Sequence, residues 1–342
     1  MAEKKLKIAC LLQPHYDYLC ASIIEGLNLL GHDCIGLENS NYCKKISKNE
    51  FKRFSAKCDL LIIFSGNLVD IGLLGDIKAD RVVFVDGTDH PEIAAVPNIS
   101  INHVFKRELL LATRRKFGDS ISPLSFAIER RYLNAVDAIK CIDVSFIGSM
   151  SNFMRSSVKE FLLCKENLVC FAGGTAEIAY DGVAGMPLST PKYYNLLAQS
   201  SASIDIPGRG WDCARTWEIV AAKAALIKFR PEIIYPSALI EGDHFLGFNT
   251  LDELDGILNS LINKPKEISD MAARCYQYAL AHHTTLARAQ YFLSEIYSRE
   301  ISTVSLENLK VYDFNATHYF IRRHGRRFLR RSSNMLKETL NK

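Results

Sequence analysis

Short apolar strands alternating with helices predict an α/β protein of doubly wound parallel sheets, and the alternation occurs twice. One series runs from Leu6 to about Phe126 and a second opens at Asp143, at the spacing that βαβ units require. At 342 residues the chain is long enough for two such domains, each with its own core. A third observation marks where a ligand would bind. Ser203 to Ile206, then Pro207-Gly208-Arg209-Gly210, then an Ala/Ile/Val-rich stretch read as strand, glycine loop and helix.

Taken in order, Leu6 to Leu12 is a buried parallel strand, and a helix from about Tyr18 to Leu30 ends at Gly31. Ile35 marks a second strand, Leu60 to Phe64 a third and Arg81 to Val85 a fourth, with one or two more expected between Ile101 and Phe126. The second series begins with Asp143 to Ser149 and continues with Leu168 to Phe171, a helix near Lys192 to Gln199, and the stretch 201–236. Helices are expected at about 250–262, 265–281 and 283–298. These elements predict an N-terminal domain over 1–138, a C-terminal domain over 139–300, a cleft between them, and a basic helical tail over 301–342.

Composition narrows the class. Hydrophobic residues make up 48% and charged residues 23%, the balance of a globular protein, and the net charge of +4 is too small to argue for a nucleic-acid partner. The 10 cysteines lack C-x-x-C spacing and read as buried thiols of a reducing compartment, not as a disulfide frame or zinc site. The apolar run after Met1-Ala2-Glu3-Lys4-Lys5 is too short to span a membrane and has no signal-peptide pattern, which points to the cytoplasm. No G-x-G-x-x-G follows a strand, no P-loop motif occurs and no Asp-x-Asp occurs. A dehydrogenase and a nucleoside triphosphatase are thereby disfavoured, and no metal requirement or cofactor is expected.

Ligands of open parallel sheets collect at the C-terminal ends of strands. In the second series those loops are Gly148-Ser149 with Asn152 and Arg155, Gly173-Gly174-Thr175, and Gly208 to Gly210. The helix after Gly210 is expected to begin at Asp212 as N-cap, so that Asp212, Arg215 and Glu218 line one ridge beside free N–H groups that attract an anion. Arg215 and Arg155 suit phosphate oxygens, and Glu218 can accept from two hydroxyls of a ribose. The same spacing also fits an exposed Arg–Glu pair on an ordinary helix. In the first series, His15 lies in the loop after the first strand. Asp89 and His90 lie after the fourth, where a His–Asp set would polarise or deprotonate a hydroxyl. Asp86 also suits a plain turn.

Gly210, Asp212, Arg215, Glu218, the run Ala221-Ala222-Lys223-Ala224, Arg230-Pro231-Glu232 and Glu241-Gly242-Asp243-His244 together resemble the spore-maturation-protein-like glycosyltransferases, relatives of the GT-B nucleotide-sugar transferases. The resemblance is clear over roughly 190–295. It implies two Rossmann-like domains, a nucleotide diphosphate sugar as donor, most often uridine-linked, and a donor-side loop at Glu241 to His244. Related retaining enzymes carry two glutamates eight positions apart; Glu218 matches the second, whereas position 210 is Gly. Related enzymes often place a histidine where His90 stands.

The expected activity is therefore transfer of a sugar to a glycan, lipid-linked or protein acceptor. The donor would be held by the second domain, and His90, Asp89 and His15 would act on the acceptor. A nucleotide-sugar epimerase on the same fold would need no acceptor, and a non-catalytic binding protein would never release free nucleotide. The six arginines between Arg322 and Arg331, interleaved with Phe320, Ile321, Phe328 and Leu329, suit either an anionic membrane surface or a tail packed on the first domain.

Overall fold

The computed structural model describes residues 5–12, 17–37, 42–65, 78–94, 99–133, 138–173 and 190–298, with the Thr190 side chain left undescribed. The chain divides into two compact units. The first comprises Met1–Glu129, Ile233–Ala238 and the chain from Ala281 through the last described helix; the second comprises Arg130–Glu232 and Leu239–Leu280.

The first unit holds β1 (Lys7–Leu11), α1 (Tyr18–Leu29), β2 (Asp33–Leu37), β3 (Lys44–Ile46), α2 (Lys48–Ser55), β4 (Leu60–Phe64), β5 (Arg81–Asp86), β6 (His103–Lys106), α3 (Leu111–Phe117) and β7 (Ile121–Pro123). Its strands form a parallel sheet in the order β3-β2-β1-β4-β5-β6-β7. The central strands are apolar almost throughout because both faces are covered, as KIACL and LLIIF show. Asp17 caps α1 by accepting from the Cys20 N–H at 2.8 Å, and Gly31, at φ 83°, turns the chain out of it.

The second unit holds β8 (Ile142–Ile147), α4 (Phe153–Leu163), β9 (Cys170–Gly173), α5 (Thr190–Gln199), β10 (Ser200–Asp205), α6 (Ala214–Ala221), β11 (Ala225–Phe229), β12 (Phe245–Phe248), α7 (Leu251–Asn263) and α8 (Pro265–His282). Its parallel sheet runs β12-β11-β10-β8-β9. Chain order reverses between β8 and β10, so their following loops diverge and leave a crevice at the strand ends. That is where the Gly148 and Gly208 loops lie.

The last described helix, α9 (Thr285–Tyr297), belongs to the first unit, although the expected second domain extended to residue 300. Its periodicity is that of any amphipathic helix; the partner comes from α1, more than 250 residues upstream. A Cβ on Gly26 would lie 2.1 Å from the Thr285 carbonyl oxygen and 2.7 Å from the Ala289 Cβ. The two helices thus meet backbone to backbone, and Phe292 and Ile296 complete the core around Ile23 and Leu27. All ten cysteines are free thiols, but Cys141 and Cys164 are exposed, unlike the buried set expected. Among the described residues no helix is long and apolar enough to cross a membrane.

Candidate functional site

The crevice of the second unit is stitched together by Asn152, which caps α4 through its side-chain oxygen. Its Nδ2 donates to the carbonyls of Pro207 at 3.0 Å and Gly208 at 3.2 Å, so one amide ties the loop after β8 to the loop after β10. Arg155 does the same from one turn further on. Its Nε and Nη2 donate to the Ile206 carbonyl at 3.2 and 2.8 Å, and its Nη1 donates to the carbonyl and hydroxyl of Ser149 at 2.9 and 3.1 Å. The fork expected to be open to phosphate is therefore engaged mainly with backbone, and Arg155 is only 5% exposed. Burial, and then the charge of Arg215, hold its pKa below the ordinary arginine value. Two neighbouring guanidiniums that repel each other are a place where an anion relieves strain.

Arg215 is the less committed of the two. Its Nε and Nη1 have no hydrogen-bond acceptor, and Nη1 lies 3.8 Å from the nearest carboxylate oxygen, Oδ1 of Asp205. Gly148 is what admits it: a Cβ there would lie 2.0 Å from Nη2. Behind Arg215, Asp205 at the end of β10 is fully buried and pairs with Lys228, its register partner on β11, at 2.6 Å. Thr216 donates to the same carboxylate oxygen at 2.5 Å. Burial pushes the Asp205 pKa up, but Lys228 and Arg215 outweigh it and hold the carboxyl below its usual range.

Glu218 is buried rather than open on a helix surface, and both its carboxylate oxygens are engaged. Tyr132 donates to Oε1 at 3.2 Å and Tyr193 to Oε2 at 2.7 Å. Asp212 is not the N-cap. The helix begins at Ala214, Cys213 stands at the cap in extended conformation without a side-chain capping bond, and Asp212 is buried ahead of it. The expected ridge of three thus reduces to Arg215 and Glu218, because Cys213 adopts φ −112° and ψ 136° and takes Asp212 out of the helical register. Gly210 is buried in the same loop.

His244, expected near the donor sugar, is committed to structure. Its ring stacks on Tyr278 at 4.3 Å, and its Nδ1 accepts from the Ile240 N–H at 3.0 Å. Burial lowers its pKa, against the opposing pull of Asp243. Neighbouring Glu241 is gripped by Arg230 at 2.8 Å.

In the first unit, Asp86 organises the loop after β5. Its Oδ1 accepts from the N–H and hydroxyl of Thr88 at 3.0 and 2.6 Å, while Oδ2 accepts from the Ala94 N–H at 2.7 Å and faces Lys106 at 3.0 Å. The expected His90–Asp89 set does not form, because Asp89 pairs with Arg107. His90 turns instead to Glu92: its Nδ1 is 3.2 Å from the Glu92 carbonyl and 3.7 Å from the carboxylate. A proton on Nδ1 leaves Nε2 as the basic nitrogen. His15, the Gly174-Thr175 pair and Arg322 to Arg331 lie outside the described residues. Among the described residues no cluster of His, Cys, Asp or Glu is placed to hold a metal ion.

Comparison with known proteins shows what this arrangement is similar to. Residues 156–294 match the model of a family described as glycosyl transferase-like. The chain is similar to a glycosyltransferase from Rickettsia africae at 10% identity and a TM-score of 0.62, over 86% of this chain and 100% of that one. The chain has the GT-B fold, and its residues 156–294 carry the likeness to the glycosyl transferase-like family. The GT-B fold is shared with Anabaena HepE, solved with UDP and glucose, at 10% identity and a TM-score of 0.52 over 86% and 100% of the two chains. It is shared too with a DNA-modifying beta-glucosyltransferase, solved with and without uridine diphosphoglucose, at 17% identity and a TM-score of 0.50 over 85% and 100%. No curated protein matches the sequence. The family match carries the broader description and does not extend to the spore-maturation-protein-like group.

Sequence reasoning missed Asp205, Lys228, Tyr132, Tyr193 and Glu92 around the candidate sites. A charged residue ending an apolar strand, as in SSASID and ALIKF, was the available signal for the Asp205–Lys228 pair. Tyr132 and Tyr193 carry no such signal, since only the fold brings them to Glu218.

Proposed function

We propose that this protein is a glycosyltransferase that moves a sugar from a uridine diphosphate sugar to a hydroxyl of a glycan, lipid-linked or protein acceptor, without a metal ion. The observation that carries the reading is Arg215, with two unpartnered donor nitrogens beside buried Arg155 where the loops after β8 and β10 meet. A diphosphate placed there meets two positive charges and the backbone N–H groups that open α6. The leaving charge is thus neutralised by groups already in position. Gly148 gives Arg215 its place, Ser149 and Gly210 line the loops around the donor, Glu218 takes the ribose hydroxyls, and Asp212 and His244 shape those loops. Uridine is supported by the UDP-bearing similar structures. The first unit takes the acceptor. There His90, through Nε2, polarises or deprotonates the hydroxyl that attacks the anomeric carbon as the bond to diphosphate breaks, with Asp89 holding the loop through Arg107.

Purified protein tested against a set of nucleotide sugars should gain thermal stability with a UDP-sugar, by mass action. It should release UDP when acceptor is added, with or without a chelator. No stabilisation by any nucleotide sugar, together with no UDP release, would refute the reading. Because Glu218 is buried against two tyrosines, Glu218→Gln is the conservative variant. It should weaken UDP binding by roughly 1.5–3 kcal/mol, the cost of leaving hydrogen-bonding groups unpaired. An unchanged dissociation constant would remove Glu218 from the ribose.

The lipid-linked acceptor and peripheral membrane contact rest on the sequence from Arg322 to Arg331. Co-sedimentation should occur with anionic but not neutral liposomes, weaken with salt and vanish in a chain ending at Asn315. Equal behaviour of the two chains would rule the contact out.

A further inference from the structure

We infer that Tyr193 and Tyr132 are positioning residues that orient Glu218 for the ribose of the donor. The inference rests on the proposed role of Glu218. Glutamate in a short helix has three side-chain torsions, so its carboxylate adopts many orientations unless something holds it. Here each oxygen receives one phenolic hydroxyl, Oε1 from Tyr132 at 3.2 Å and Oε2 from Tyr193 at 2.7 Å.

Two donors on two oxygens fix both the position and the plane of the group. Each oxygen accepts up to two hydrogen bonds, so one site on each remains for a neighbouring pair of hydroxyls, as on a ribose. The donors are themselves held. The Tyr132 ring stacks on Tyr194 at 4.3 Å and 18°, and the Arg131 guanidinium lies 4.5 Å over its face. Tyr193 sits on α5, packed against α6. Burial, and then the charge of Glu218, push the Tyr193 pKa well above the ordinary tyrosine value, so it donates throughout the working pH range.

The experiment compares UDP with 2′,3′-dideoxyuridine diphosphate by calorimetry on the full chain. Wild type should bind UDP more tightly. Tyr193→Phe should reduce that preference about tenfold, the size of one hydrogen bond to a charged group, while binding of the dideoxy nucleotide stays constant. Tyr132→Phe, with the longer bond, should act in the same direction, and the double variant should add to Tyr193→Phe alone. Tyr194→Phe keeps the stacked ring and should leave the preference intact; it separates loss of packing from loss of the hydroxyl.

A parallel loss of affinity for both nucleotides in Tyr193→Phe would mean a purely structural tyrosine and overturn the inference. Tighter UDP binding would overturn it too, by showing that the phenols compete with the ribose. Should wild type itself show no preference, the ribose role of Glu218 fails and the inference with it. A wild-type preference that survives in Tyr193→Phe leaves that role standing and removes the tyrosine alone.

Discussion

His90→Ala is expected to lower turnover by about 10²–10⁴ with donor affinity unchanged, the range for loss of a general acid or base. The expectation follows from how the imidazole is held. Its Nδ1 faces the Glu92 carbonyl at 3.2 Å with the Glu92 carboxylate 3.7 Å away, so Nε2 is the nitrogen left for an acceptor hydroxyl. Asp89 pairs with Arg107 and has no direct part in this. Steady-state kinetics with the acceptor varied, alongside calorimetry with the donor, check the claim. Weakened donor binding with turnover preserved at saturation would take His90 out of the acceptor chemistry.

The second large effect is expected at Gly148. A methyl group there would lie 2.0 Å from Nη2 and 2.6 Å from Cζ of Arg215, so the guanidinium must vacate its place. Gly148→Ala should therefore reproduce Arg215→Met. Both should lower kcat by about 10²–10³, as when one preorganised donor to developing charge is removed. The double variant should be no worse than either single one, because the two changes remove the same interaction. Full activity in Gly148→Ala would show that Arg215 works equally well elsewhere, and additive losses would show that Gly148 has a separate role.

The fold was legible because its signal is local. Apolar runs such as LLIIF and KIACL stand out by composition alone, and α1 and α7 carry their own caps in Asp17 and Thr250. Helix α2 was missed although Ser47 and Glu50 form a capping box. Its short polar sequence buries only Phe51 and Ser55, so periodicity says little. The candidate site was less legible because its geometry depends on side-chain partners far apart in sequence. Loop positions such as Gly148 could be named, but not that a guanidinium from residue 215 fills the space above it. Likewise, the spacing of Arg215 and Glu218 shows one face of a helix, whereas the tyrosines that engage the carboxylate arrive from 25 and 86 residues away. Asp89 and His90 are adjacent in sequence and still go to different partners, which adjacency cannot reveal.

The close crossing of α1 and α9 at Gly26 bears on the order in which the protein can be made. A ribosome releases α1 early, but the helix that seals its apolar face is encoded from residue 285 onward, after the described residues of the second unit. Until then Ile23 and Leu27 lack Phe292 and Ile296, so the core that begins first is not closed until α9 emerges. A fragment ending near residue 129 would keep the complete parallel sheet yet carry an unsealed hydrophobic stripe, which makes it prone to association with its own copies.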